Sequence, residues 1–478
     1  MEYIEGDILS LDVDSIDLSD PEQVRELIRS LISIIEMQAQ VIKDLREENQ
    51  QLKDEIAYLK GEKGKPKIKP NVPEKPPKPD SRVADKPKKW TKKAKNPRIK
   101  IDRVERLYVD KTTLPPDAVR NGFRTVIKQD IKIETNNVEY QLEQYYSPSS
   151  HKVYEADLPE DVQKTEFGST LKAFVIGLHY VGRVPQNKIK EILENIGVII
   201  SEGTISNILT KEKHEVFTAE KEAIFEAGMK NADYFQIDDT GARHMGTNQY
   251  LDVVCNDQFS YFFVLDSKRK DALRSRFGLE EGEQIDIPMV SDAAPQFFSI
   301  SSKQGLCWIH EMRHYKKLTP IFDQNKSVLD NFKNKLYNYY DLLKQYKEAP
   351  DKGLKIFIGW LFDSIFLPTT GYIKLDETIR ATIKRRDKLL RVLDYPVIPL
   401  HNNGAEIALR GGVLKRKISY GTRSELGKIS WENFFTILDT CRKQKVSFLK
   451  YVKDIISNKR SMPWLFQLLV KDKGSMAY

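Results

Sequence analysis

With 478 residues, 40% of them hydrophobic and 31% charged, the chain is long enough for about two to four domains and an ample core. No apolar run approaches the roughly 18 residues of a membrane span, and the acidic start Met1-Glu2-Tyr3-Ile4-Glu5 does not read as a signal peptide. Three cysteines, Cys255, Cys307 and Cys441, exclude a disulfide framework and a four-ligand zinc set, which suits a soluble protein of a reducing cytoplasm with no membrane partner.

The net charge of +8 is concentrated: residues 61–100 hold 15 lysines and arginines against 4 acids. That imbalance points to a polyanion-binding arm rather than a uniformly basic surface.

Taken in order, residues 1–20 show no period and read as a flexible start. Residues 21–60 carry a heptad, with Ile28, Ile35, Ile42, Asn49 and Ile56 in one series and Leu31, Leu45, Leu52 and Leu59 in its partner. Isoleucine at a and leucine at d favour a parallel two-stranded coiled coil, and a buried Asn49 would set register and a homodimeric state. The competing reading is an amphipathic helix docked on its own domain. Residues 61–100 are rich in lysine and proline, which predicts a semi-extended linker. Within it Lys88, Lys89, Lys92 and Lys93 can track phosphates, and Trp90 can stack or wedge.

Short alternating runs in residues 101–157, such as Thr125 to Ile127, Ile131 to Glu134 and Val138 to Leu142, predict a small antiparallel β module. Residues 160–230 turn helical. Two helices, Gln186 to Leu193 and Ser201 to Thr210, share a predicted core of Ile189, Ile192, Leu193, Ile196, Ile205, Ile208 and Leu209. Ser201 is placed to cap the second helix, and Ser206, Asn207 and Lys211 resemble the reading face of a helix-turn-helix. A plain helical hairpin is the alternative.

Residues 231–320 read as the first part of a catalytic core. The stretch Tyr234 to Gly241 is apolar and β-prone and delivers Asp238. Gln249 to Asn256 and Ser260 to Asp266 continue as strands, and Ile287 to Asp292 ends a further strand on Asp292. Cys307 and Trp308 are expected in a strand core, with His310, Arg313 and His314 beside the site and against DNA phosphate. The 113 residues between Asp292 and Glu406 are too many for a loop, and helical spacing predicts an insertion over 321–399. Within it Arg380, Lys384, Arg385, Arg386, Lys388 and Arg391 form either a solvated face or a grip on DNA. Residues 400–478 complete the core: Glu406 falls in a loop entering a helix, Arg410, Lys415, Arg416 and Lys417 are phosphate-clamp candidates, and helices close the end. Three carboxylates from separate elements suit hard cations that keep open positions for substrate phosphate.

The succession Ile237-Asp238-Asp239-Thr240, Ser291-Asp292, Cys307-Trp308-Ile309-His310-Glu311-Met312-Arg313, Asn402-Asn403-x-x-Glu406 and Arg416-Lys417 resembles the DDE transposases of the bacterial insertion-sequence family sixty-six. The resemblance spans about residues 160–460, and a leucine-zipper start is shared. It implies an α/β, RNase H-like core of mixed sheet and flanking helices, with Asp238, Asp292 and Glu406 as the catalytic and metal-binding triad. The chain departs from the family pattern at Asp239, Met312 and Ile407, where the family has Glu, Arg and Arg. Many relatives carry a zinc module near residues 101–157, and the absence of cysteine before Cys255 predicts no zinc here.

The implied function is metal-dependent strand cleavage and transfer at the ends of an insertion sequence. Two Mg²⁺ ions, or Mn²⁺ in their place, would serve it. The partners expected are transposon-end DNA, target DNA and a second copy of the chain, with accessory proteins of the same element, all at the bacterial nucleoid. A silent DNA-binding relative and an RNase H-like nuclease without joining activity are the alternatives.

Overall fold

The computed structural model describes residues 20–59, 100–159, 162 and 165–469. The linker candidates Lys88, Lys89, Trp90, Lys92 and Lys93 lie outside these residues. Two compact units separate by contacts: residues 45–132 form one, and residues 1–44 with 133–478 form the other.

One helix, α1 (Pro21–Leu59), carries the whole heptad. Ile28, Leu31, Ile35, Ile42, Leu45 and Leu52 are all exposed, between 44% and 56%, as is Asn49; the side chains of Ile56 and Leu59 lie outside the described set. The other face of its first half is docked. Glu36, 4% exposed, accepts hydrogen bonds from the backbone amides of Ile321 (2.7 Å) and Phe322 (2.7 Å) and from Asn325 Nδ2 (2.9 Å). The helix is thus docked through a polar face in its first half, while its described heptad residues are exposed.

The predicted β module reduces to a hairpin of β1 (Gln144–Ser147) and β2 (Lys152–Glu155). The runs at 125–127, 131–134 and 138–142 are not strands. Val126, Ile131 and Ile133 are 64% to 79% exposed, so no apolar layer covers them, and strands without such a layer are not stable.

Four helices follow: α2 (Ser169–Tyr180), α3 (Gln186–Asn195), α4 (Glu202–Thr210) and α5 (His214–Lys230). As expected, Ser201 caps α4, its side chain accepting from the Thr204 amide at 3.0 Å. Ile189, Leu193, Ile205, Ile208 and Leu209 are buried.

The central sheet runs β3 (Phe235–His244), β4 (Thr247–Cys255), β5 (Ser260–Leu265), β6 (Met289–Ser291) and β7 (Gln304–Leu306), in the order β5-β4-β3-β6-β7. The first three strands form an antiparallel meander, and β6 and β7 add parallel to β3. Helix α6 (Lys270–Arg276) links β5 to β6, and α7 (Trp308–Lys316) follows β7. Cys307 and Trp308 are buried, but as the N-cap and first residue of α7 rather than as strand. The strand stops at Leu306 because the parallel ladder to β6 ends there.

The insertion is helical: α8 (Asp323–Glu348), α9 (Lys352–Ile365), α10 (Ile373–Ile383) and α11 (Arg386–Leu389) share a core with Trp308 and Tyr315. The chain then returns through α12 (Asn403–Ser419), α13 (Glu425–Lys443) and α14 (Phe448–Ile456). Leu409 of α12, Phe435 of α13 and Val452 of α14 join the sheet residues Leu251 and Phe262 in the main core.

Candidate active site

Strand β3 is the reference to which all three acids are tied. Asp238 is its fourth residue, in mid-strand rather than at a terminus, because β3 pairs with β4 all the way to His244. On the other side, pairing with β6 stops at Gln236↔Val290. Asp238 thus stands just past the end of the parallel ladder, where the sheet opens. Asp292 follows the last residue of β6, its Oδ1 accepting from the Ala294 amide at 3.0 Å.

Glu406 lies in the first turn of α12, as expected. Two side chains hold that turn against β3. Asn402, wholly buried, donates from Nδ2 to the Ile237 carbonyl at 2.8 Å, and Gln236 donates from Nε2 to the His401 carbonyl at 2.8 Å. Gly404 allows the close approach, since a Cβ there would collide with Gln236 Oε1. The Trp308 amide donates to the Leu400 carbonyl at 2.9 Å, so the segment before α12 is also tied to α7.

Burial raises the Asp238 carboxyl to about 7, and Asp292, Asp239 and Glu406 push it the same way against the Asp239 amide, which donates to its Oδ1 at 2.9 Å. Glu406 Oε1 lies 3.6 Å from both His310 Nε2 and Arg313 Nη2. That is ion-pair distance but too long for a hydrogen bond, and Oε1 is buried without a hydrogen-bond partner. Burial and Arg313 lower His310, while Glu406 and Asp292 oppose them. Among the described residues no three His, Cys, Asp or Glu side chains stand close enough together to hold a metal ion.

The family model described as Transposase IS66 family matches residues 164–429, more than half of the chain. The chain belongs to this transposase family. Within this IS66-family chain the matched span runs from just before α2 into α13, so Asp238, Asp292 and Glu406 all fall inside it. The chain is also 36% identical over 169 residues to the uncharacterized protein y4jO of Sinorhizobium fredii (strain NBRC 101917 / NGR234). That similarity covers 35% of this chain and 52% of the other, so the chain spans about half the length of the curated relative it matches. Among the described residues no helix is long and apolar enough to cross a membrane.

The remaining candidates divide sharply. Asn207, Lys211, Arg313, His314, Arg410 and Lys417 are exposed, and Ser206 and His310 are half-buried. Arg416 spends its guanidinium on the Gly241 carbonyl of β3. Lys415 is not available to DNA: 1% exposed, it faces inward with Nζ 3.1 Å from His179 Nδ1 of α2, because α12 turns that side to the core. Half of the six basic residues in the insertion run likewise bond within the chain. Arg385 donates to Glu311 (2.9 Å), Arg386 holds Asp363 through two bonds (2.8 and 2.9 Å), and Lys388 donates to Gln304 (2.8 Å). Gln236, Gln296 and Lys268, all important to the geometry, carried no signal in the sequence. Their role depends on neighbours that only the fold supplies.

Proposed function

We propose that the chain is a DDE-type transposase that cuts DNA at the ends of an insertion sequence and joins the freed 3′-hydroxyl to target DNA, on an RNase H-like core. A meander extended by two parallel strands beyond its first strand, with α12 and α13 on the sheet, supports that core. The carrying observation is the placement of the three acids: Asp238 and Asp292 each stand two residues past the end of the β3–β6 ladder, and Glu406 lies in the helical turn that Asn402 and Gln236 tie to β3.

The donor set fits a hard divalent cation. It is all oxygen, it leaves Glu406 Oε1 without a hydrogen bond, and its crowded negative charge is what a cation would relieve. When bound, a pair of Mg²⁺ ions, or Mn²⁺, activates water and stabilises the leaving oxygen of an in-line displacement. Asp238 and Asp292 hold the sheet side of that site and Glu406 the α12 side. Arg313 sits at ion-pair distance from Glu406 and presents a guanidinium to a phosphate oxygen, with His310 beside it.

The exposed Asn207 on α4 and Lys211 at its C-terminal cap, with Ser206, serve as a helix-turn-helix reading face for the element's ends, and His314, Arg410 and Lys417 add phosphate contacts. The heptad seam of α1 pairs two copies. Target DNA and accessory proteins of the same element complete the assembly at the bacterial nucleoid.

The test is joining of a 3′-hydroxyl oligonucleotide to plasmid DNA with Mg²⁺ or Mn²⁺. The proposal expects joined product from the wild-type chain and none from Asp292→Asn. Cutting without joining would move the reading to a nuclease, and end binding without either step to a silent relative.

A further inference from the structure

Asp239 follows Asp238 on β3, and its side chain serves the opposite face of the sheet. There it is fully engaged: Oδ1 accepts from Lys268 Nζ at 2.6 Å, and Oδ2 accepts from Gln296 Nε2 at 2.9 Å. Gln296 is 9% exposed and sits in the short turn Pro295–Phe297, four residues after Asp292. One hydrogen bond therefore joins the residue beside the first acid to the loop that carries the second.

That bond stands where the backbone ladder cannot help. β3 and β6 pair only at Phe235↔Met289 and Gln236↔Val290, so Asp238 and Asp292 each lie two residues beyond the last paired position. A ladder fixes spacing only over the residues it joins. Past its end the strands are free to splay, and Asp239–Gln296 is a side-chain link between them in that opening. We propose that the Asp239 carboxylate and the Gln296 amide form a strut that sets the separation of Asp238 and Asp292 for a shared divalent cation. The inference rests on the metal-dependent reading above and makes Asp239 and Gln296 positioning residues.

The surroundings keep the strut in one state. Lys268 neutralises Asp239 and lies 5.1 Å from the centre of the Tyr250 ring. Asp252, the cross-strand neighbour of Asp239, is 3% exposed, and its Oδ2 has no hydrogen-bond partner. Burial, with Asp239 adding to it, raises its carboxyl well above the usual range. The two oxygens of Asp239 are committed to Lys268 and Gln296. Asp239 and Gln296, with side-chain and residue exposures of 10% and 9%, are shielded from solvent, and a shielded hydrogen bond of defined polarity transmits position.

The experiment is Mn²⁺ titration of the full-length chain, free ion being counted by electron paramagnetic resonance, with melting temperature recorded alongside. Gln296→Leu should weaken Mn²⁺ binding about tenfold, the cost typical of losing a group that orients a metal ligand. Gln296→Glu should weaken it at least as much, since two carboxylates would then oppose each other. Combining Gln296→Glu with Asp239→Asn exchanges donor and acceptor and should restore binding to within about twofold. A residue needed only for folding would not recover through that exchange. Wild-type binding with Gln296→Leu unchanged, or no recovery in the paired variant, overturns the strut while leaving the metal site standing. Absence of wild-type binding that Asp238→Asn removes overturns both.

Discussion

The two faces of β3 hold acids one residue apart in opposite conditions. On one face Asp239 has a cation and an amide donor on its two oxygens, and its neighbour Asp252 is held toward the neutral form by burial. On the other, burial raises Asp238 to about 7, with Asp292, Asp239 and Glu406 adding to it, and Glu406 Oε1 has no hydrogen bond. Buried carboxylates are ordinarily satisfied, because an unpaired one costs several kcal/mol. The difference lies in the partners: Asp239 has a lysine and a side-chain amide, whereas Asp238 and Asp292 accept only backbone amides and Glu406 Oε1 accepts none.

The largest effects should come from the unsatisfied face. Asp238→Asn, Asp292→Asn and Glu406→Gln each keep side-chain shape and remove a charge, so each should cut strand cleavage and joining by on the order of 10³-fold or more while end binding stays within a few fold. Gel shift and product analysis on the same preparations separate the two. Asp239→Asn keeps an oxygen acceptor for Gln296 and should hold joining within about tenfold of wild type. Equal losses from Asp238→Asn and Asp239→Asn would erase the difference between the faces.

A smaller effect belongs to the far end of α12. Burial lowers Lys415 to about 7 from 10.5, and burial together with Lys415 lowers His179 to about 3. Below pH 7 the folded chain carries a buried ammonium at its full cost. Between pH 7 and pH 10.5 the unfolded chain retains a proton that the folded chain has released, so stability rises with pH across that window. Lys415→Met should therefore stabilise by about 2 kcal/mol at pH 6 and by much less at pH 10, read as melting temperature. A gain independent of pH would mean that Lys415 is not charged in the folded chain at pH 6.

The smallest expected change in activity comes from α1. Asn49→Leu should leave cleavage chemistry intact but broaden the oligomer distribution of the full chain, because a buried amide penalises trimers and shifted registers. Sedimentation equilibrium showing the same single species for wild type and variant would contradict the role given to Asn49.

How much of this was legible beforehand follows the range of the interactions. Ser201 as a cap, Glu406 in a first helical turn and the strands of the meander depend on residues a few positions apart, and the structure has them where the pattern put them. Two facts that shape the site were not readable: the β3–β6 ladder stops at Gln236↔Val290, and Cys307 caps a helix instead of lying in a strand. Each depends on which strand lies alongside, and short strands pair by what packs over them. The same limit explains residues 125–142, where alternation suggested strands but no apolar layer exists to bury one face. Lys415 shows the converse. It stands in a run with Arg416 and Lys417 that reads as basic surface, yet α12 presents its three residues to three different surroundings: His179 in the core, the Gly241 carbonyl of β3, and solvent.

The most direct test of the central claim is Mn²⁺ binding to three full-length proteins: wild type, Asp238→Asn and Asp239→Asn. Lost binding in Asp238→Asn, with Asp239→Asn close to wild type, is the result expected if the unsatisfied face of β3 is the metal site. Binding that survives Asp238→Asn and disappears with Asp239→Asn would place the metal on the other face and contradict the assignment.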